Sequence, residues 1–574
     1  MRGRDQGLVA LLLVTALLAP RLTAGGQQIR SAASRQPSKL SVTTRLVEIN
    51  VIVDDKKSGA PVSGLTQKDF SIFDDGHPQS ISLFTPVTAK APPSRPLVMQ
   101  PDVYTNLLAA HGGVPPSTTI ILLDGLNTAL TDQSYARAQV LKFLGQIQPQ
   151  DHIALYALGT KLTVVHDFTT DAASLIAALS RYGNSTAVTT QSSDVQRMAG
   201  APPGINVAAL NAAISFANQD SARVFQGRRV EITIAALDAI ARHVAGLAGR
   251  KNLIWVAGQF PVCFCFTSQN PLLTYNEHYY KDPVERTAQL FADANVAIYP
   301  VDARGLFGPD LGFVVGASFQ PTTDGLTVPT VSTNFLMEDM AHWTGGIAFS
   351  DTNDIMGSIR RAVNDARVSY VLGYYPDHND WKGEFRKIRV KVDEPGLNVR
   401  AREGYFAMSD LHYTPKDITS RLAAMALSPL NATGISFAAR VASGSPGAAK
   451  KLLLTVRFDP HGIQFHATSG SEVANIHYAV FELDAQGEIL GGDDTPLQID
   501  VSPAAYQAAL TEGMGFTAVV PVVPGAPELC VVLRDDHTGA AGSLHIPLEK
   551  YTSSVNPKHR SAPPKTSGPR ADPP

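Results

Sequence analysis

Asp124-Gly125-Leu126-Asn127-Thr128 sets a carboxylate, an amide and a hydroxyl within five residues, directly after the apolar run Thr118–Leu123. Such a run, without polar alternation, reads as a strand covered on both faces. In an open α/β sheet, ligands bind beyond the carboxyl ends of the strands, so Asp124, Asn127 and Thr128 stand where chemistry is expected. Read from the residues alone, the Asp124 side chain caps the turn into the following helix by accepting hydrogen bonds from loop amides, with Asn127 and Thr128 serving the same loop. Asp302 ends another short apolar run on the same rim, where it either pairs with Arg304 or stands in a solvated turn. A second cluster lies between residues 259 and 281, where Phe260, Phe264, Phe266, Tyr275, Tyr279 and Tyr280 accompany Cys263 and Cys265. Aromatic side chains in an exposed rim loop suit a protein or glycan partner, and packing of the loop on its own domain is the alternative.

Signals of hydrolytic and nucleotide chemistry are weak: the chain lacks His-Glu-x-x-His, a Gly-x-Ser-x-Gly elbow and a phosphate loop ending in Gly-Lys-Ser/Thr. Glu277-His278 and Asp535-Asp536-His537 read as solvated loop charges. Three cysteines cannot build a disulfide framework. Cys263 and Cys265 are too close in sequence for an unstrained bridge to each other, which leaves Cys530 free to pair with either.

The elements that must position these groups follow from periodicity. A length of 574 residues, a net charge of −3 and 44% hydrophobic residues exclude a disordered chain and a strongly basic nucleic-acid binder. Residues 1–24 read as an export signal: Arg2 and Arg4 precede an apolar run, Leu8–Ala19, too short to span a bilayer. The alternation at Val47, Ile49, Val51 and Val53 and the hairpin signal at Asp75-Gly76 predict a small β-sandwich-like unit over 40–87. Prolines make 88–117 an extended linker. From 118 to 367 short apolar strands alternate with amphipathic helices, with insertions at 183–229 and 259–281. A helix start is expected at Asp282-Pro283, the acid as N-cap and the proline at the first helical position. Strands return in a β extension over 368–405, and turn-punctuated strands over 410–550 predict a C-terminal β-sandwich. Residues 552–574, with six prolines and four basic side chains, read as a disordered tail.

The run ILLDGLNTALTDQSYARAQVLKFLGQI with HIALYALGTKLTVVHDFT, together with VSGLTQKDFSIFDDGHPQSI, IYPVDARGL, YVLGYYPD and GEFRKIRVKVDEPGLNVRAREGY, resembles the von Willebrand factor type A-related domain of many exported acidobacterial proteins. The resemblance covers roughly residues 40–405. It implies a doubly wound, mostly parallel α/β sheet of the Rossmann type, here flanked by small β-sandwich domains. It also implies a metal-ion-dependent adhesion site, in which an Asp-x-Ser-x-Ser loop holds magnesium or manganese and a partner's acidic side chain completes the shell. Asp124 matches the carboxylate and Thr128 the second hydroxyl; Leu126 stands where the first hydroxyl belongs. A second carboxylate is missing after Leu253–Val256, and Thr186, Thr189 or Thr190 would have to supply the remaining hydroxyl. The site is therefore expected to be degenerate, with no cofactor, or with magnesium or manganese held weakly by Asp124 and Thr128. Asn127, Asp302, Phe264 and Tyr279 are the candidate binding residues of the rim. The expected function is that of a secreted or periplasmic, non-catalytic protein that binds a protein or surface polymer, with no nucleic acid and no membrane span in the mature chain. The alternatives are a metal-dependent hydrolytic enzyme using Asp124 and a structural component of the envelope.

Overall fold

The computed structural model describes residues 46–88, 100–108, 118–183, 207–247, 249–260, 271–305, 335–378, 381–408, 414–443, 451–468, 470–523 and 525–552. The chain is a mixed α/β protein with a largely parallel central sheet. Its strands lie in the order Val296–Asp302, Lys251–Ala257, Thr118–Asp124, Ile153–Leu158, Leu162–Thr169. The first four are parallel and the last, joined to its neighbour by a tight turn, is antiparallel.

Their unbroken apolar runs follow from burial on both faces. On one face Ile120, Leu122, Tyr156, Leu253 and Trp255 pack against helices α3 (Val207–Val244), α4 (Pro271–Asp293) and α5 (Phe335–Thr344). On the other, Ile121, Leu155, Ile254 and Val256 meet α1 (Leu130–Leu144), α2 (Ala172–Arg181) and α6 (Ile355–Asp365). The register brings Asp124 level with Leu158, and Asp302 level with Ala257, so these residues share one rim at the carboxyl ends of the strands.

The segments before and after this domain share two four-stranded sheets. Val368–Tyr374 inserts between Val47–Asp55 and Leu83–Thr88, while Glu384–Val392 lies between Phe70–Asp74 and Gly404–Ala407. Residues 40–87 and 368–405 thus contribute to one sandwich. Asn50, which the alternation places toward solvent, is buried because its Nδ2 donates to Asn295 Oδ1 of the α/β domain at 3.1 Å.

The linker reading of 88–117 fails at its centre. Val103–Thr105 is an edge strand of the C-terminal sandwich, paired with Phe437–Ser443. The side chain of the next residue, Asn106, donates to Ala432 O and Ile435 O at 2.7 and 2.8 Å and accepts from Phe437 N at 2.8 Å. One amide satisfies three buried backbone groups, a specification that proline counting does not see.

Both insertions are in part helical. α3 runs for 38 residues, so residues 207–229 belong to the same helix as the sheet-packed 230–244. α4 begins at Pro271, and Pro283 lies inside it. The apolar face explains this: Tyr280, Val284, Ala288 and Phe291 are all buried, so it continues through the proline at the cost of one backbone hydrogen bond. Two of the presumed rim aromatics are core residues for the same reason, Tyr280 on that face and Phe260 packed edge-on to Trp255 at 5.6 Å. Cys530 is a buried, free thiol in the Glu528–Asp535 strand of the C-terminal sandwich. Cys263, Cys265, Phe264 and Phe266 lie outside the described residues, as do 1–24 and 553–574.

Both β units dock at the amino ends of the central strands. The N-terminal sandwich meets Asn295 through Asn50 and Glu48, Asp365 through Arg400, and Gln289 through the Phe406 amide. The C-terminal sandwich meets the end of α3, where Thr433 N donates to Arg242 O and the Asn431 carbonyl lies 2.7 Å from His243 Nδ1. Seven-residue strands separate these contacts from the opposite rim by about 20 Å.

Candidate functional site

The Asp124 loop is closed upon itself. The Asp124 side chain belongs to a residue only 2% exposed, and both its oxygens are engaged: Oδ1 accepts from Asn127 N at 2.9 Å, and Oδ2 accepts from Asn127 Nδ2 at 2.8 Å and Trp255 Nε1 at 3.0 Å. Burial pushes its carboxyl above the usual range, against the pull of those donors and of the Arg229 guanidinium. Three N–H donors and no acceptor make this the environment of a carboxylate.

Thr128 is equally committed. Its hydroxyl donates to the Asp124 carbonyl and accepts from Gly258 N at 2.9 Å, tying the loop to the neighbouring strand end. At Gly258 a Cβ would come within 3.1 Å of Asn127 O, so the close approach that this bond requires suits glycine. Leu126 points into the apolar core among the residues under α3. Asn127 extends the network: its Nδ2 also donates to Thr233 Oγ1 at 2.9 Å, and its Oδ1 accepts from Arg229 Nη2 at 3.0 Å. Gln133 Nε2 donates to the carbonyls of Gly125 and Thr128 at 3.0 and 2.9 Å, bracing the loop from α1. The free space beside the loop, bordered by Gln133, Arg137 and Tyr182, is about 30 Å³, enough for a water or two.

These residues do not fit a divalent ion. Magnesium and manganese take oxygen ligands with lone pairs aimed inward. Here the Asp124 carboxylate faces N–H groups, the Thr128 hydroxyl is used in both directions, and the third position is an alkyl group in the core. Asp302 lies two strands from Asp124, roughly 10 Å by strand spacing. It is held by Arg304, whose Nε and Nη2 reach Oδ1 and Oδ2 at 3.0 and 2.7 Å. Thr186, Thr189 and Thr190 lie outside the described residues. Among the described residues no three His, Cys, Asp or Glu side chains converge as a metal site.

The fold thus brings Asp124, Asn127 and Thr128 together, but Asn127 is buried and presents no side chain to a partner. Tyr279 falls on the backbone of α4. Sequence reasoning missed Trp255, Thr233 and Arg229. Trp255 was legible as a core strand residue, but nothing local reveals that its indole reaches across to the next strand. Arg229 was hidden because 183–229 reads as an insertion, whereas α3 begins within it. Exposed apolar side chains at this end are Leu130 and Tyr135 on α1 and Val224 and Phe225 on α3, interspersed with the exposed Thr131, Ser134 and Arg228. Residues 184–206, 261–270 and 306–334 all connect to described residues at this end, beyond Gly183, Phe260 and Gly305.

No family model matches the chain, and no curated protein matches it. Among solved structures, it is similar to an aerotolerance-related membrane protein from Bacteroides fragilis NCTC 9343 carrying multiple mutations to serine, at 13% identity and a TM-score of 0.24, over 44% of this chain and 99% of that one. It is also similar to the conserved hypothetical protein BatB from Bacteroides thetaiotaomicron, at 12% identity and a TM-score of 0.24, over 44% and 98% of the two chains. A third similar structure is an uncharacterized membrane-spanning protein from Vibrio fischeri, at 16% identity and a TM-score of 0.11, over 43% and 97%. In the chain described here, no helix among the described residues is long and apolar enough to cross a membrane.

Proposed function

We propose that this chain is an exported, non-catalytic binding protein, whose von Willebrand-A-like, doubly wound domain engages a protein or surface polymer through its carboxyl-end rim without a metal ion. The observation that carries this reading is the closed Asp124 loop: its carboxylate and hydroxyl are spent on internal hydrogen bonds, so the rim offers a surface and not a reactive group. The placement of both β units supports it, because their contacts with the α/β domain lie at the opposite end from the rim. Exposed Leu130 and Val224 supply apolar area of the kind found at the centre of interfaces. The N-terminal apolar run supports export.

The test is capture from an envelope extract by three purified proteins: the wild type, a rim variant carrying Leu130→Asp and Val224→Asp, and a control carrying Tyr375→Asp on the N-terminal sandwich, where Tyr375 is 49% exposed. One captured species should be retained by the wild type and the control and lost by the rim variant, with cross-links from that species mapping to α1 and the upper part of α3. Equal capture by all three, or no specific species at all, would remove the rim from consideration as a binding surface.

A further inference from the structure

The residues around the Asp124 carboxylate do not fit a metal ion, and its counter-charge comes from a side chain of the same domain. Its direct partners, two groups of Asn127 and the indole of Trp255, are neutral. The cation that acts on it is Arg229, and the connection runs through the Asn127 amide. Asn127 Nδ2 faces Asp124 Oδ2, while its Oδ1 faces Arg229 Nε and Nη2 at 3.3 and 3.0 Å. That orientation is enforced from both sides, because a flipped amide would set oxygen against carboxylate and NH2 against guanidinium. Thr233, fully buried one turn along α3, locks the arrangement: its hydroxyl accepts from Asn127 Nδ2 and donates to Arg229 O at 2.8 Å.

We infer that Arg229 supplies, from within the chain, the positive charge that a divalent ion brings to loops of this kind, so that the shape of the rim is set by helix α3 and not by metal. The inference rests on the metal-free reading of the site. Arg229 is a positioning residue, acting on the Asp124 loop through Asn127. It also marks where α3 passes the rim. Val230 and the residues after it pack on the sheet, while residues 207–228 precede it, a length of about 33 Å of helix. A partner that moves the upper part of α3 would therefore act on the loop through Arg229, the first α3 side chain to reach Asn127, with Thr233 following one turn on.

Hydrogen exchange in the full chain reads the loop directly, because Asn127 N–H donates to Asp124 Oδ1 and Gly258 N–H to Thr128 Oγ1. At neutral pH, Arg229→Gln should cut the protection of both amides about tenfold, while the same change in an Asp124→Asn background should cut it less than about threefold, the signature of a coupled pair. Arg229→Lys, which keeps the charge, should recover most of the loss. Arg229 is the charged group that faces Asp124, whose carboxyl burial already raises, so the Arg229→Gln deficit should also shrink as the pH falls and Asp124 takes up a proton. Equal losses in the two backgrounds, or a deficit indifferent to pH, would overturn the role of Arg229 and leave the metal-free rim standing. Protection in the wild type that rises with manganese in an Asp124-dependent way would overturn both.

Discussion

At the scale of single residues, the rim loop illustrates how a pattern that looks like a ligand set can be a set of internal bonds. Asp124 and Thr128 stand where the resemblance would place two ligands of an adhesion site. Whether their lone pairs point outward depends on groups distant in sequence, Trp255 and Gly258, which spacing cannot place. Thr128→Val removes one donor and one acceptor inside a buried network and should destabilise the protein by about 1–3 kcal/mol in urea unfolding. Leu126→Ser restores the hydroxyl that an adhesion site would carry, but it buries a polar group in the core under α3 and should also cost about 1–3 kcal/mol. A stability gain in the presence of magnesium for that variant would show that the loop can open to a metal after all.

At the scale of elements, strands covered on both faces and helices with a clear apolar stripe were readable, and the elements that failed were those whose partners come from elsewhere in the chain. Val103–Thr105 has no periodicity of its own to announce a strand; it exists because Phe437–Ser443 offers an edge and Asn106 pins the chain beside it. Asn106→Ala should therefore raise hydrogen exchange in Phe437–Ser443 while leaving the central strands unchanged, and cost about 2–3 kcal/mol. The start of the Lys251–Ala257 strand presents the opposite case, a charge where an apolar residue is expected. Lys251 is buried, its Nζ donates to Leu247 O, and burial pulls its ammonium down to about 7 against the pull of Glu48. Because the folded value lies below the unfolded one, the unfolded state binds more protons between about pH 7 and pH 10. Stability contributed at this position therefore rises with pH across that window, and the charge costs most below it. Lys251→Met should raise the urea midpoint at pH 6, with the difference narrowing as the pH approaches 10. A variant less stable than wild type at pH 6 would show that the bond to Leu247 O outweighs the desolvation.

At the scale of the whole molecule, the chain is interlocked in sequence and polarised in space. The first sandwich is completed by strands that follow the α/β domain, and the last sandwich by a strand that precedes it, so three folded units are built from segments that cross one another in order. Composition and strand counting cannot give this threading, since pairing between segments hundreds of residues apart leaves no local mark. Its consequence is that both sandwiches anchor at one end of the central sheet and the rim is left at the other. Isothermal titration of magnesium and of manganese into the intact protein bears most directly on whether that rim works without metal. The expected result is no saturable heat that distinguishes the wild type from Asp124→Ala; a stoichiometric binding isotherm present in the wild type and abolished by Asp124→Ala would contradict it.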